Sequence, residues 1–177
     1  MTDTISRPKN STIDRAENER DRGVVLDVRT GEQGTLAAWA GCFAEVWDRP
    51  RERLDRLLGL LSDDIVLKAP IRPPVSRGKQ AARRGFEVAL HGMPDLRADI
   101  HRWRGAGDTL FIELTFRATI GGHAIAWNNV DRITFSGGIA VERVAFFDPT
   151  IVRRAFFRNF AAFRQLRRMR AAGREGR

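Results

Sequence analysis

The chain has no tyrosine, one cysteine and three histidines in 177 residues, and only three of its 31 basic side chains are lysines. A lone Cys42 has no partner for an internal disulfide, and zinc sites normally take about four ligands. With His91, His101 and His123 as the only imidazoles, a metal centre is not expected. No stretch approaches the roughly 20 apolar residues that a membrane span requires. The first 23 residues are polar and contain no apolar h-region, so a secretory signal is not expected and the expected location is cytoplasmic.

What remains is an ordinary globular composition, 42% hydrophobic and 30% charged, with a net charge of +9. That excess is not spread evenly. Residues 1–35 sum to −1, residues 36–148 to +2 and residues 149–177 to +8. A basic protein suggests nucleic acid, but here the body is near neutral and the charge is a property of the tail.

Three sections are expected: a polar, disordered arm over 1–34, a folded domain over 35–148 and a basic tail over 149–177. Within the arm, Val24, Val25 and Leu26 read as a strand or a packed segment. Thr35 is the expected N-cap of a first helix, with Leu36, Trp39, Ala40, Phe43, Val46 and Trp47 repeating at spacings of three and four. Asp48-Arg49-Pro50 marks a break and restart. Leu54, Leu57, Leu58 and Leu61 form the stripe of a second helix. A strand at Ile65–Leu67 leads into a proline-stiffened loop over 69–78. A third helix runs from Lys79 to His91, and Gly92 and Pro94 stop it.

After Pro94 the period becomes two. Strands are expected over 96–103, 109–120, 124–135 and 139–147, separated by Gly105-Ala106-Gly107-Asp108, Gly121-Gly122 and Gly137-Gly138. Helices segregated from a meander define an α+β domain. Asp148 and Pro149 then open a helix in which Val152, Phe156, Phe160 and Phe163 share one stripe among arginines. Such a basic amphipathic helix packs on the domain or across a homodimer, or it rests on an anionic membrane.

The phrases Leu60-Leu61-Ser62-Asp63-Asp64-Ile65-Val66, Arg77-Gly78, Val130 to Ile139 and Phe146-Phe147-Asp148-Pro149 resemble SnoaL-like proteins of the nuclear-transport-factor-2-like superfamily. Relatives there include polyketide cyclases, ketosteroid isomerase and limonene-epoxide hydrolase. The resemblance covers about 35–150. It implies a cone-shaped curved antiparallel sheet packed on three N-terminal helices, with an apolar pocket at the open end, and dimerisation through the outer sheet face is common in the superfamily. Ketosteroid isomerase, a worked case of paired Asp chemistry, implies a base at Ala69, a Tyr at Phe43 and an oxyanion-hole Asp at Asp131. Only the last is present. The Asp–Arg–Asp device of limonene-epoxide hydrolase falls near Leu114, Phe116 and Ala145, and its water-holding Asn at Ala69. Both chemistries are missing from the scaffold, and fold alone does not fix function.

The strand over 124–135 carries the sharpest remaining clue. Ile125, Trp127, Asn129, Asp131, Ile133 and Phe135 share one face, which is apolar enough to face inward. A carboxylate placed there is expected to have a raised pKa through desolvation, suited to general acid–base work or to holding a ligand carbonyl. Its plain alternative is a structural pair with Arg143. A two-residue turn at Gly137-Gly138 places Val144 opposite Asp131, and a bulged three-residue turn places Arg143 there. The candidate catalytic residues are therefore Asp131 and Asn129. The candidate pocket residues are Trp127, Ile133, Phe135, Phe43, Ala69, Phe116 and Ala145. The expected ligand is a small apolar carbonyl compound, handled by an isomerase, cyclase or dehydratase, or held by a non-catalytic binding or interaction module. No cofactor or nucleic-acid recognition motif is read. Glu113, Arg117 and His101 read as surface residues, and His123 as a turn residue.

Overall fold

The computed structural model describes residues 31–71 and 74–175. The expectations for residues 1–30, the short Val24–Leu26 run included, and for the middle of the proline-rich loop lie outside the described residues. The elements are α1 (Gly31–Asp48), α2 (Pro50–Gly59), β1 (Leu61–Lys68), β2 (Val75–Arg77), α3 (Lys79–Gly92), β3 (Arg97–Ala106), β4 (Thr109–Ile120), β5 (His123–Ser136), β6 (Ile139–Phe146), α4 (Pro149–Phe156) and α5 (Phe160–Glu175). This is the α+β architecture expected, with some revisions. Thr35 lies inside α1, which begins a turn earlier. Leu61 is the first residue of β1, because α2 ends at Gly59.

The six strands form one open sheet in the order β2-β1-β6-β5-β4-β3. The β3–β6 meander is antiparallel throughout, as its alternation requires. Gly121 and Gly122 lie at φ 60° and 84°, and Gly137 and Gly138 at 58° and 81°. Both pairs thus adopt the left-handed backbone that makes a two-residue turn match the twist of its strands. One junction departs from the antiparallel expectation: β1 runs parallel to β6. β1 enters from a helix and its chain returns through α3, so it pairs with the last strand without a hairpin. α1 packs on β3, and α3 packs on α2, β1 and β2. The core lies between these helices and the inward side chains of β4 and β5, where Leu110, Ile112, Leu114 and Ile133 are fully buried.

β6 holds the decisive irregularity. Ser136 pairs with Ile139 and Phe135 with Ala140, but Thr134 pairs with Glu142. Val141 is therefore an extra residue, a bulge that exchanges the two faces of everything after it. Beyond it, Arg143 and Ala145 point inward and Glu142 points outward. Outside the sheet, Glu142 accepts from Lys68 of β1 and, at 2.7 Å, from Arg132 of β5, which clasps the strands on either side of it.

The tail differs from the single helix expected. α4 ends at Phe156, the amides of Phe157 and Arg158 fold back on the carbonyls of Arg154 and Ala155, and Asn159 starts α5 by accepting from the Ala162 amide at 2.8 Å. Asn159 also donates to the Gly121 carbonyl, while Gln165 accepts from the Gly121 amide and donates to the carbonyls of Gly92 and Thr119. α5 is thereby fastened to the β4–β5 turn and to the end of α3. No described helix is long and apolar enough to cross a membrane.

Hydrogen bonds from Lys68 first, and Arg132 next, hold the Glu142 carboxyl below the ordinary glutamate range. Because the folded pKa is lowered, this contribution is complete above the unfolded value of about 4.3 and is lost as pH falls through the folded one. Lys68 is nearly half exposed and solvent screens the pair, so Glu142→Gln should cost only about 1 kcal/mol at pH 7. Urea unfolding across pH should show the variant and wild type converging in acid. A constant gap down to the lowest pH would contradict this.

Candidate functional site

The face of β5 is as its alternation requires: Trp127, Asn129, Asp131, Ile133 and Phe135 are all buried, and the residues between them are more exposed. Asp131 is fully buried and both its oxygens are engaged. Oδ1 accepts from Asn129 Nδ2 at 3.0 Å, and Oδ2 accepts from Arg143 Nη2 at 2.6 Å. Neither register considered from the sequence occurs. The residue opposite Asp131 is Ala145, and Arg143 lies opposite Ile133, so the ion pair is diagonal across the β5–β6 ladder. Diagonal neighbours on one face are within reach of a side chain as long as arginine.

Arg143 is itself only 9% exposed. Its guanidinium carbon sits 5.4 Å from the Phe43 ring centroid, 5.8 Å from Trp47 and 5.9 Å from Phe86. Three rings around one desolvated cation offset part of its burial cost, each by about 0.5–2 kcal/mol. The helical spacing of α1 delivers two of them: Phe43 and Trp47 are one turn apart and point to the same side.

These rings belong to a longer series. Phe135 meets Trp39 edge-on at 5.5 Å, Trp39 stacks on Phe43 at 5.2 Å, and Phe43 lies 6.1 Å from Trp47. Trp47 meets Phe116 edge-on at 4.9 Å, Phe116 stacks on Trp127 at 5.3 Å, and Trp127 lies 6.5 Å from Phe147. Of the residues named from the sequence, Phe43, Phe116, Trp127 and Phe135 are members of this series. Phe43 lies against the Arg143 guanidinium, Ile133 is paired with Arg143, Phe116 stacks on Trp127, and Phe135 lies at the far end. Ala69 and Ala145 lie side by side where β1 ends: Lys68 pairs with Val144, which brings the next residues of the two parallel strands together. Ala69, Ala145 and Phe147 are all half-buried.

Several polar atoms in this interior lack a hydrogen-bond partner among the described residues. They are the indole N–H groups of Trp39, Trp47 and Trp127, Nε of Arg143 and Oδ1 of Asn129. Four of the five are donors, and buried donors are normally satisfied. Two surface clefts of about 470 Å³ lie elsewhere, one between α2 and α3 and one between α3, the β4–β5 turn and α5; His91 lines both, and none of the candidate catalytic or pocket residues lines either. No cluster able to hold a metal occurs among the described residues. Glu113 and Arg117 pair with Arg102 and Asp99 on the outer sheet face, His101 contacts Thr115 there, and His123 begins β5 at its turn, so all four sit where the sequence put them.

A family model described as the SnoaL-like domain matches residues 40–143. The chain belongs to the SnoaL-like family. Solved structures agree on the fold. A candidate SnoaL-like polyketide cyclase from Jannaschia sp. CCS1 superposes with a TM-score of 0.62 at 15% identity, covering 72% of this chain and 94% of that one. An NTF2-like protein of unknown function from Burkholderia pseudomallei K96243 gives 0.62 at 19%, covering 68% and 96%. TerC, co-crystallised with polyporic acid, gives 0.61 at 14%, covering 68% and 97%. Among curated proteins none matches. In this SnoaL-like chain the matched segment ends at Arg143, so the ion pair lies inside it.

Sequence reasoning reached Asp131, Asn129 and, as a possible partner, Arg143. It reached four rings of the aromatic series, Phe43, Phe116, Trp127 and Phe135, but not the enclosure of Arg143 by Phe43, Trp47 and Phe86. Phe86 was not singled out, and Trp39 and Trp47 were read only as packing residues. The available signal was the coincidence of aromatic helix positions with a charged residue on the last strand.

Removing one member of a buried pair leaves the other uncompensated. Asp131→Asn and Arg143→Gln should each lower the unfolding free energy by about 3–5 kcal/mol. In urea unfolding the double variant should lose less than the two singles together, by roughly 1–3 kcal/mol. Strict additivity would show that the pair contributes nothing as a pair.

Proposed function

We propose that this SnoaL-like chain binds a small, apolar, planar molecule bearing a carbonyl or enol oxygen within the cone, with Arg143 as the group that meets that oxygen. The observation that carries the reading is the surplus of unpartnered donors, Arg143 Nε and three indole N–H groups, inside an otherwise aromatic interior. Pockets of this kind bind through apolar walls and a few placed polar groups. Trp127, Phe116, Phe43 and Trp47 supply the walls, Asn129 Oδ1 supplies one acceptor, and the rim at Ala69, Ala145 and Phe147 supplies the way in. Family membership supports small-molecule binding, and likeness to a candidate polyketide cyclase and to a protein crystallised with polyporic acid is consistent with a planar oxygenated ligand.

Turnover of the isomerase, cyclase or dehydratase type needs a group free to exchange a proton with the ligand. Both oxygens of Asp131 are committed to Asn129 and Arg143. That favours Asp131 and Asn129 as positioning residues over Asp131 as an acid or base, and favours a binding protein over an enzyme. The outer sheet face presents Phe111, Val130 and Phe146 to solvent, which supports self-association of two copies through it.

Two measurements decide the binding reading. Native mass spectrometry of the purified protein should show a discrete apolar molecule retained under gentle activation and lost from Trp127→Ala. Titration with 2-acetylnaphthalene, a planar ketone, should quench the buried tryptophans in wild type and weaken at least tenfold in Arg143→Met, with folding checked by near-ultraviolet circular dichroism. An empty protein whose tryptophans ignore the ketone would overturn the assignment. Quenching by naphthalene equal to that by its ketone would remove Arg143 from it.

A further inference from the structure

The break at residues 157–159 has a consequence for the tail's apolar face. Val152 and Phe156 pack inward, and α5 buries a different stripe, Ala162 and Leu166, against the domain. The remaining phenylalanines are left outside. Phe160 is 74% exposed, Phe157 59% and Phe163 40%. Phe157 and Phe163 have ring centroids 6.4 Å apart, Phe160 is three residues before Phe163 on the same face of α5, and Arg164 lies over the Phe160 ring at 5.5 Å, so the three form one patch. Beside it lies the cleft of about 470 Å³ between α3, the β4–β5 turn and α5. Arg51, His91, Arg164 and Arg168 line it, and among the described residues no carboxylate does. Arg164 and Arg168 are one turn apart, and Arg164 is shared by the cleft and the aromatic patch.

We propose that this surface docks on an anionic phospholipid bilayer, with Phe157, Phe160 and Phe163 entering the interface and the cleft of Arg51, His91, Arg164 and Arg168 receiving a phosphate-bearing headgroup. Charge complementarity selects the occupant. Residues 149–177 carry nine arginines and one acidic residue, and each basic side chain near an anionic leaflet adds attraction that decays within a Debye length. Arginine charge around an apolar aromatic face is the composition of an interfacial helix. A nucleic acid fits less well, because bases stack on free ring faces. Here Phe157 and Phe163 are tilted against one another, and Arg164 covers a face of Phe160.

The test is co-sedimentation of the full chain with sonicated vesicles, either pure phosphatidylcholine or with 30% phosphatidylglycerol added. The expected result is pelleting with the anionic vesicles alone, reversed by 0.5 M NaCl. Because every changed side chain is at the surface, the variants should melt as wild type does. Arg164→Gln with Arg168→Gln should weaken binding tenfold or more at unchanged melting temperature. Phe157→Ala, Phe160→Ala and Phe163→Ala together should abolish it even at low salt. Equal pelleting with both vesicle types would overturn the proposal. So would full retention in the triple phenylalanine variant, or binding to a single-stranded oligonucleotide with no binding to vesicles.

Discussion

A cation and an anion buried together inside a small aromatic core constrain everything around them. Neither Arg143 nor Asp131 tolerates that environment alone, since an unpaired charge there costs several kcal/mol. Each must be held at hydrogen-bonding distance of the other. Asp131 comes from the middle of β5, where strict alternation places it, and Asn129 two residues earlier occupies its second oxygen. Arg143 comes from β6, and it faces inward only because Val141 is an extra residue. In an unbulged ladder Glu142 would take the inward position and face Asp131 diagonally, two carboxylates with no cation. The bulge therefore decides the sign of the charge at the centre of the core.

The same shift organises the outside of the sheet. With Arg143 inward, Glu142 is outward, between Lys68 of β1 and Arg132 of β5. The parallel β1–β6 junction has no hairpin to fix its register, so a side-chain clasp across three strands supplies what a turn supplies elsewhere. Helix α1 then has to meet a buried guanidinium, and it does so with rings. Phe43 and Trp47 contribute both apolar area and quadrupole. Core packing and a polar site are not separable here, because the residues that exclude water from Arg143 are those that would flank a ligand bound to it.

How much of this was legible follows from the range of each signal. The β5 face, the two Gly-Gly hairpins and the Asp148 cap are local patterns, and the structure reproduces them: Thr150 donates its amide to Asp148 as an N-cap requires. The Val141 bulge has no local mark, since neither glycine nor proline accompanies it, and only the pairing of a long strand with its neighbour reveals it. The parallel β1 junction is likewise a tertiary fact. The split of the tail had a local signal in Asn159, a good N-cap residue, but the phenylalanines at 156, 160 and 163 keep helical spacing straight through the break. Periodicity alone assigns them to one buried stripe. The enclosure of Arg143 was unreadable for a different reason: Phe43 and Trp47 come from α1 and Phe86 from α3, and no pattern in sequence links those two helices to a residue of β6.

The charge split and the fold meet at Phe147. It ends the aromatic series just past the end of β6, and the next residue, Asp148, caps the helix that begins the basic tail. The aromatic series and the basic tail are thus adjacent in the chain. Gln165 and Asn159 join α5 to the β4–β5 turn, in the sheet that carries Trp127, by side-chain hydrogen bonds to backbone. An apolar ligand and an anionic bilayer would then be addressed from one end of the molecule, the ligand through the interior donors and the bilayer through the exterior arginines. Phe147 and the three exposed phenylalanines all lie within residues 147–163, and the near-neutral remainder of the domain leaves the tail to set the orientation.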